Sequence, residues 1–333
     1  MSSYGFPTML QYSRLGAAVA DIKQRSEQAR TEVVTGRIAD LKTELGSAVG
    51  DAQLLRKAID DVAALQRSTQ RALGRAGAAQ IAIARAVEGV ETIGANLLSA
   101  VGQNDQSSIN VAANQGRLQL ESAMAAFNAR YEGRSLFSGD ASTQPALAGA
   151  DTLLNDIRAI FTGAADMTQL EADLDTYFND PAGGFATNIY VGGAGDAARA
   201  EISDGELVNY SARADEQPVR DLLRNLATLV VANEQTAFPD RTEALTAAGA
   251  GMLQAANDVV GVRARVGAAE ERMAATEARL SAEATALGVA YNERASRDPY
   301  EAAALLKALE AQLESSYIIT ARISQLSLAN FLR

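Results

Sequence analysis

Apolar residues recur along this chain in alternating steps of three and four. The longest run never slips: Leu55, Ala58, Val62, Leu65, Thr69, Ala72, Ala76, Ala79, Ile83, Ala86, Val90, Ile93, Leu97 and Ala100, where only Thr69 is not apolar. A seven-residue repeat of this kind is a heptad seam. It predicts one helix of about 50 residues, about 75 Å long at the helical rise. A second seam runs Met252, Ala255, Val259, Val262, Val266, Ala269, Met273, Thr276, Leu280, Glu283, Leu287 and Ala290, inside a helix expected over 241–295. A third opens the chain with Tyr12, Leu15, Val19, Ile22, Ser26, Ala29, Val33 and Gly36. An amphipathic helix is expected over 107–130, with Ile109, Ala112, Gly116, Leu120, Ala123 and Phe127 on one face.

The last helix has a defined start. Asp298 can cap it, Pro299 suits the first helical position, and Glu301 stands three residues after Asp298, an aspartate version of the capping box. Leu306, Leu309, Leu313, Tyr317, Thr320, Ile323 and Leu326 follow at helical spacing, so the apolar ending belongs to a real helix. Proline is missing between Pro7 and Pro145 and again between Pro239 and Pro299, which agrees with helical ends around a less regular centre. In that centre, helices are expected near 151–161 and 168–178, followed by a Gly-rich, β-flavoured stretch over 183–193. Two short strands, 200–202 and 207–210, flank the turn signal Ser203-Asp204-Gly205, and a helix should run from Pro218 to Val231. The fold class is mainly α: a long antiparallel helical bundle or coiled coil built from both chain ends, with a small α+β central insertion domain.

Composition narrows the function. The chain has 333 residues and a net charge of −11, without a basic tract, which argues against nucleic acid and against insertion into or binding to an anionic membrane. Apolar residues make up 47%, but only 5% are aromatic and Trp is absent; much of the apolar share is Ala, which suits closely packed helices. There is no Cys and no His. That removes disulfides, thiol chemistry, the commonest general base and the commonest metal ligand. The N-terminus lacks the basic region and apolar run of a secretory signal, so the protein is expected to stay in the cytoplasm or to leave by a route without a cleaved signal.

The most enzyme-like signal is Gly193-x-Gly195-x-x-Ala198 after Ile189-Tyr190-Val191. A dinucleotide fingerprint needs a helix next, and here a turn at 203–205 follows within a few residues, so the motif reads as a loop. Asp60-Asp61 and Glu270-Glu271 lie in long helices and read as solvated faces. No EF-hand, P-loop or nucleophile elbow is present. The chain is therefore read as a non-enzyme, with no catalytic, cofactor-binding or metal-ligating residue nominated. The terminal helices carry too few large apolar side chains to offset the ordering of their backbone alone. Several copies packed together would make them firm, as in an obligate polymer. The residues expected at such an interface are Tyr12, Leu15, Val19, Ile22, Leu306, Leu309, Leu313, Tyr317, Ile323, Leu326, Leu328 and Phe331.

Three stretches carry a family resemblance. They are FNARYEGRSLFSGD from Phe127 to Asp140, ARADEQP from Ala212 to Pro218 leading into Leu222-Leu223-Arg224-Asn225-Leu226, and ISQLSLANFL from Ile323 to Leu332; Thr35-Gly36-Arg37 also fits. Together with the order of long helices, these resemble the flagellin superfamily, and within it the hook-associated protein 3 group, over roughly 1–140 and 205–333. Filament flagellins share both helical arms but lack the close match at 131–139. The group often has an acidic pair before Pro in the loop after Thr-Gly-Arg; this chain instead reads Asp40-Leu41-Lys42-Thr43-Glu44-Leu45-Gly46. The resemblance implies terminal polymerisation arms (1–50 and 296–333), a helical rod domain (51–140 and 236–295) and an outward-facing insertion (141–235). It implies a structural adaptor at the hook–filament junction of the bacterial flagellum. The implied partners are copies of itself in a ring, hook-associated protein 1, flagellin, and a flagellar export chaperone at the C-terminal region. Export would run through the flagellar type III channel to the cell exterior. Outside this family, a coiled-coil signalling protein and a nucleotide-binding enzyme are the other classes that the seams and the glycine motif bring to mind.

Overall fold

A computed structural model describes residues 8–195, 199–203 and 205–331; the side chains of 8–12, 48 and 323–331 lie outside the description. The order of elements is α1 (Thr8–Thr35), α2 (Leu41–Leu45) with a 3-10 turn after it, α3 (Val49–Val87), α4 (Val90–Gly102), α5 (Gln106–Phe127), β1 (Arg130–Tyr131) and β2 (Arg134–Ser135). Then come α6 (Ala150–Gly163), α7 (Met167–Asn179), a π-helical turn (Phe185–Ile189), β3 (Arg199–Ser203), β4 (Glu206–Asn209), α8 (Gln217–Glu234), α9 (Arg241–Ala295) and α10 (Pro299–Phe331). The fold is mainly α, with two small two-stranded antiparallel sheets, β1–β2 and β3–β4. Among the described residues, no helix is long and apolar enough to cross a membrane.

The chain divides into two compact units: 1–63 with 282–333, and 64–281. Both divisions fall inside a helix, α3 in one case and α9 in the other.

In the unit 64–281, α3 and then α4 meet α9 along the two long seams. From Thr69 to Ala100 every seam position of the first run is buried, as is every position of the second from Met252 to Leu280. Gln70 Nε2 donates to Glu277 Oε1 at 3.0 Å, and Arg263 Nε to Gln80 Oε1 at 3.0 Å. Residue number rises on one helix as it falls on the other, so the pair is antiparallel. Alanine at several seam positions, among them Ala72, Ala76, Ala79, Ala255 and Ala269, keeps the helices close. Helix α5 packs on α4, and α5, α6, α7 and α8 pack on one another; this second layer and the segments between its helices supply the large side chains: Phe127, Phe137, Phe178, Phe185, Leu153, Leu154 and Ile157 are fully buried.

The expected single helix over 55–100 is interrupted at Glu88-Gly89. Gly89 has φ +76°, a left-handed conformation that glycine adopts without steric cost, and its carbonyl accepts from Ile93 N to restart the helix as α4. The seam keeps its phase across the break: Ala86, Val90 and Ile93 are all buried. The helix expected over 107–130 stops at Phe127. The stretch 183–193 is not a strand. It forms the π-helical turn, buries Phe185 and Ile189, and then makes a single bridge from Tyr190 to Leu147.

In the unit 1–63 with 282–333, α1 packs along α10, and the buried cluster between them is Ile22, Ala29 and Leu309, with Leu305, Leu306 and Leu313 half-buried around it. Ala29 has almost no side chain to bury, and that lets the leucines of α10 approach the α1 backbone.

Candidate assembly site

The nominated residues sit on α1 and α10. Ile22 and Leu309 are buried against each other's helix, and Leu306 and Leu313 are half-buried in the same contact. Leu15 and Val19 are half-buried on α1. Tyr317 stays 52% exposed, and the neighbouring Ile318 and Ile319 each 51%. The side chains of Tyr12, Ile323, Leu326, Leu328 and Phe331 lie outside the described residues, although their backbone is helical. The structure thus brings four of the twelve together in an intramolecular helix pair. It leaves a rim of large apolar side chains on α10 uncovered.

A polar clasp sets where that pair begins. Ile38 N donates to Ala295 O at 2.9 Å, and Arg297 N to Gly36 O at 3.0 Å, so the end of α1 is stitched to the break between α9 and α10. Glu32 is buried on α1; its Oε1 accepts from Ala39 N at 2.9 Å, and its Oε2 lies 3.5 Å from Arg297 Nε. That last contact is an ion pair without hydrogen-bond geometry, since Arg297 Nε has no hydrogen-bond partner. Arg297 is also paired with Glu44 of α2, whose hydrogen bond raises the guanidinium above its ordinary value. Asp40 caps α2 through Lys42 N and Thr43 N, and hydrogen bonds from Thr43, side chain first, hold its carboxyl below its ordinary value. At the other end of the clasp, Asp298 Oδ1 accepts from Tyr300 N at 2.7 Å, the cap expected for α10. Thr35-Gly36-Arg37 is thereby explained: Gly36 ends α1 with φ +65°, and the Arg37 guanidinium lies over the Tyr291 ring, 6.0 Å from its centroid, and reaches Asn292. The loop Asp40–Gly46, where the sequence departs from the family pattern, supplies a cap and the Arg297 partner. Glu32 and Arg297 carried no sequence signal, because an ion pair between distant segments follows no local period.

The other two resemblance stretches form a hub in the unit 64–281. Phe127 and Phe137 stack edge to face, with ring centroids 5.3 Å apart. Between them the chain makes the β1–β2 hairpin, with Glu132 (φ 50°) and Gly133 (φ 77°) at its tip. Both left-handed residues match the turn that suits a twisted two-stranded ribbon. The Asn128 side chain accepts from Ala146 N and Leu147 N and donates to Leu147 O, fixing the next segment to the end of α5. Ala214 N donates to Phe137 O at 3.0 Å, which joins the second stretch to the first. There Arg213 is paired with Asp215 and donates to Ala194 O at 2.7 Å, while Glu216 accepts from Arg213 N at 3.0 Å and pairs with Arg265 of α9.

Gly193 and Gly195 belong to this hub. A Cβ on Gly193 would stand 1.6 Å from Asp140 Oδ1, and one on Gly195 2.3 Å from Asp140 Oδ2. The glycines make room for the Asp140 carboxylate, which a phosphate site would not tolerate. Gly193 N donates to Ser138 O, and Tyr190 Oη donates to Gly193 O at 2.8 Å. Ala198, the last residue of the motif, lies outside the described residues.

Comparison with known proteins bears on these helices. No curated protein sequence matches the chain. Residues 250–332, most of α9 and all of α10, match the family model of the bacterial flagellin C-terminal helical region. Among solved structures, the chain is similar to a protein described as a flagellar hook-associated protein from Vibrio parahaemolyticus, with a TM-score of 0.56 at 13% identity over 74% of this chain and 97% of that one; at that identity the likeness is one of fold.

Proposed function

We propose that this chain is a non-enzymatic structural subunit of the bacterial flagellum and serves as an adaptor at the hook–filament junction. The observation that carries the reading is the flagellin match over 250–332, which contains an α10 whose Tyr317, Ile318 and Ile319 are left half exposed. The fold likeness to the Vibrio protein supports the hook-associated class. On this reading the helices at both chain ends are polymerisation arms. Neighbouring copies in a ring cover the apolar rim of α10, and ordering is coupled to burial at that moment. Hook-associated protein 1 and flagellin are the axial partners, and an export chaperone covers the C-terminal helix before passage to the cell exterior.

A second reading, filament flagellin, is favoured by the identity of the matched family region itself. Polymerisation separates the two. Purified protein, seeded with filament fragments, should not elongate into filaments if it is an adaptor; growth of long filaments from this protein alone would establish the second reading instead. Ile323→Asp with Leu326→Asp should abolish incorporation into the organelle while the melting of residues 64–281 stays unchanged. Incorporation at the wild-type level would remove the C-terminal helix from the assembly surface.

A further inference from the structure

Acidic residues outnumber basic ones in this chain, 41 to 30, and many arginines find one. Arg158 pairs with Glu234, Arg213 with Asp215, Arg265 with Glu216 and Arg297 with Glu32 and Glu44. One cleft departs from that pattern. It measures about 380 Å³ and is lined by Arg71, Arg75, Arg134 and Arg199 with Tyr131 and Tyr210. Among the described residues, Arg71, Arg75 and Arg134 have no carboxylate partner. Arg71 Nε donates to Arg67 O and one Arg75 nitrogen to Ser135 O at 2.7 Å, which leaves most of their N–H groups without a partner. The carboxylate lining the cleft is Glu132, exposed at the hairpin tip and without an ion pair.

The cleft is built rather than incidental. Arg71 and Arg75 are one turn apart on α3 and share a face. Gly74 stands between them, and a Cβ there would lie 2.2 Å from Tyr131 Oη. Glycine therefore lets the Tyr131 ring lie against the helix, which seats the hairpin and its Arg134 beside the two helical arginines. The start of β3 brings Arg199. Burial, with the like charge of Arg134 beside it, pulls the Arg75 guanidinium below its ordinary value. Tyr210 is buried, and burial raises its phenol, so its hydroxyl stays protonated and can donate. Crowded guanidinium groups with spare donors and two phenols fit oxyanions, because the planar fork of arginine matches carboxylate and phosphate oxygens in pairs.

We propose that this cleft binds an anion bearing two or more carboxylate or phosphate groups, supplied free in solution or by acidic side chains of a second copy of the chain. Two groups are needed because the arginines without a carboxylate partner arrive from two elements, α3 and the β1–β2 hairpin. The proposal does not depend on the flagellar reading, since it concerns the purified chain before any assembly. Citrate and inorganic pyrophosphate are titrated calorimetrically into the full chain at constant ionic strength, and self-association is followed by sedimentation at low salt. A free ligand gives saturable binding to a monomer. Carboxylates of a second copy give self-association that citrate dissolves. In either case Arg71→Gln with Arg134→Gln weakens the interaction at least about tenfold, and Arg85→Gln, on the same helix outside the cleft, does not. Both substitutions are at exposed positions, and an unchanged melting curve shows that the fold is kept. Heats that match sodium chloride at equal ionic strength, with no anion-sensitive association, would overturn the proposal. So would undiminished binding by the double variant.

Discussion

The unit 64–281 and the unit 1–63 with 282–333 are built from the same kind of helix but reach different depths of burial. In the first, the α3–α9 seam is covered by a second layer, and its core includes Phe127, Phe137, Phe178 and Phe185. In the second, α1 and α10 have one contact stripe, with Ile22, Ala29 and Leu309 as its buried cluster. A periodic apolar pattern therefore does not fix how stable a helix is; what matters is how many other elements reach its apolar face. A stripe two helices wide leaves each helix mostly in water. Its stability depends on whatever else comes to cover it.

Core truncation tests this contrast most directly. Phe137 has no exposed surface and stacks on Phe127. Phe137→Ala should cost about 3–5 kcal/mol and lower the main melting transition markedly. Leu309→Ala removes a side chain that is just as buried, at 3% exposure, but from a two-helix stripe. It should leave that transition in place and speed amide exchange along α10. Equal shifts of one common transition by both variants would mean that the two units melt as one and that the contrast in burial has no energetic counterpart.

The clasp allows a finer cut. Arg297→Met keeps the alkyl bulk but leaves Glu32 buried beside α10 with only the Ala39 amide to satisfy it. The cost should be about 1–3 kcal/mol, felt as exchange in α1, α2 and the start of α10. Protection unchanged there would show that the backbone stitches Ile38–Ala295 and Arg297–Gly36 hold the clasp without the charges.

Much of this architecture was legible in the sequence, for a physical reason. The seams, the Asp298 cap and the β3–β4 turn are local, and local periodicity and turn chemistry report them within a few residues. The features that escaped it are long-range or conformational. The π-helical turn at 185–189 has the apolar content of a strand, but its backbone is drawn inward by burial of Phe185 and Ile189. The glycines of 193–195 imitate a phosphate loop because their constraint, the Asp140 carboxylate, lies more than fifty positions away. Of the candidate assembly site, the helical positions were legible. That α1 and α10 would first cover each other at Ile22 and Leu309 was not, because heptad spacing does not name the partner helix.

The break at Gly89 offers a smaller effect within the unit 64–281. Gly89→Ala forces a side chain onto left-handed backbone and should cost about 1 kcal/mol. If it stabilises instead, α3 and α4 can fuse into the single helix the unbroken seam would favour. The deep core would then be more plastic than its burial implies.

Alkali should tell the units apart most gently. The α1–α10 stripe is aliphatic: Ile22, Ala29, Leu305, Leu306, Leu309 and Leu313. The unit 64–281 instead holds Tyr177, Tyr190 and Tyr210, whose phenols are all raised mainly by burial. Tyr190 is pushed up to about 12 by burial, and by the Asp215 charge, from an ordinary value of 10.0. A raised folded value means the neutral phenol is favoured in the folded state. Its contribution is whole below pH 10 and is lost as the pH climbs through about 12. Neutrality is also what lets Tyr190 Oη donate to Gly193 O. Absorbance of the phenolate between pH 9 and 13 should therefore show a late-titrating group that Tyr190→Phe removes, with loosening of the 138–141 and 193–195 loops at the same pH. Exchange in α1 and α10 that accelerates at lower pH than these loops would reverse the order, and would place the alkali-sensitive group in the thin unit instead.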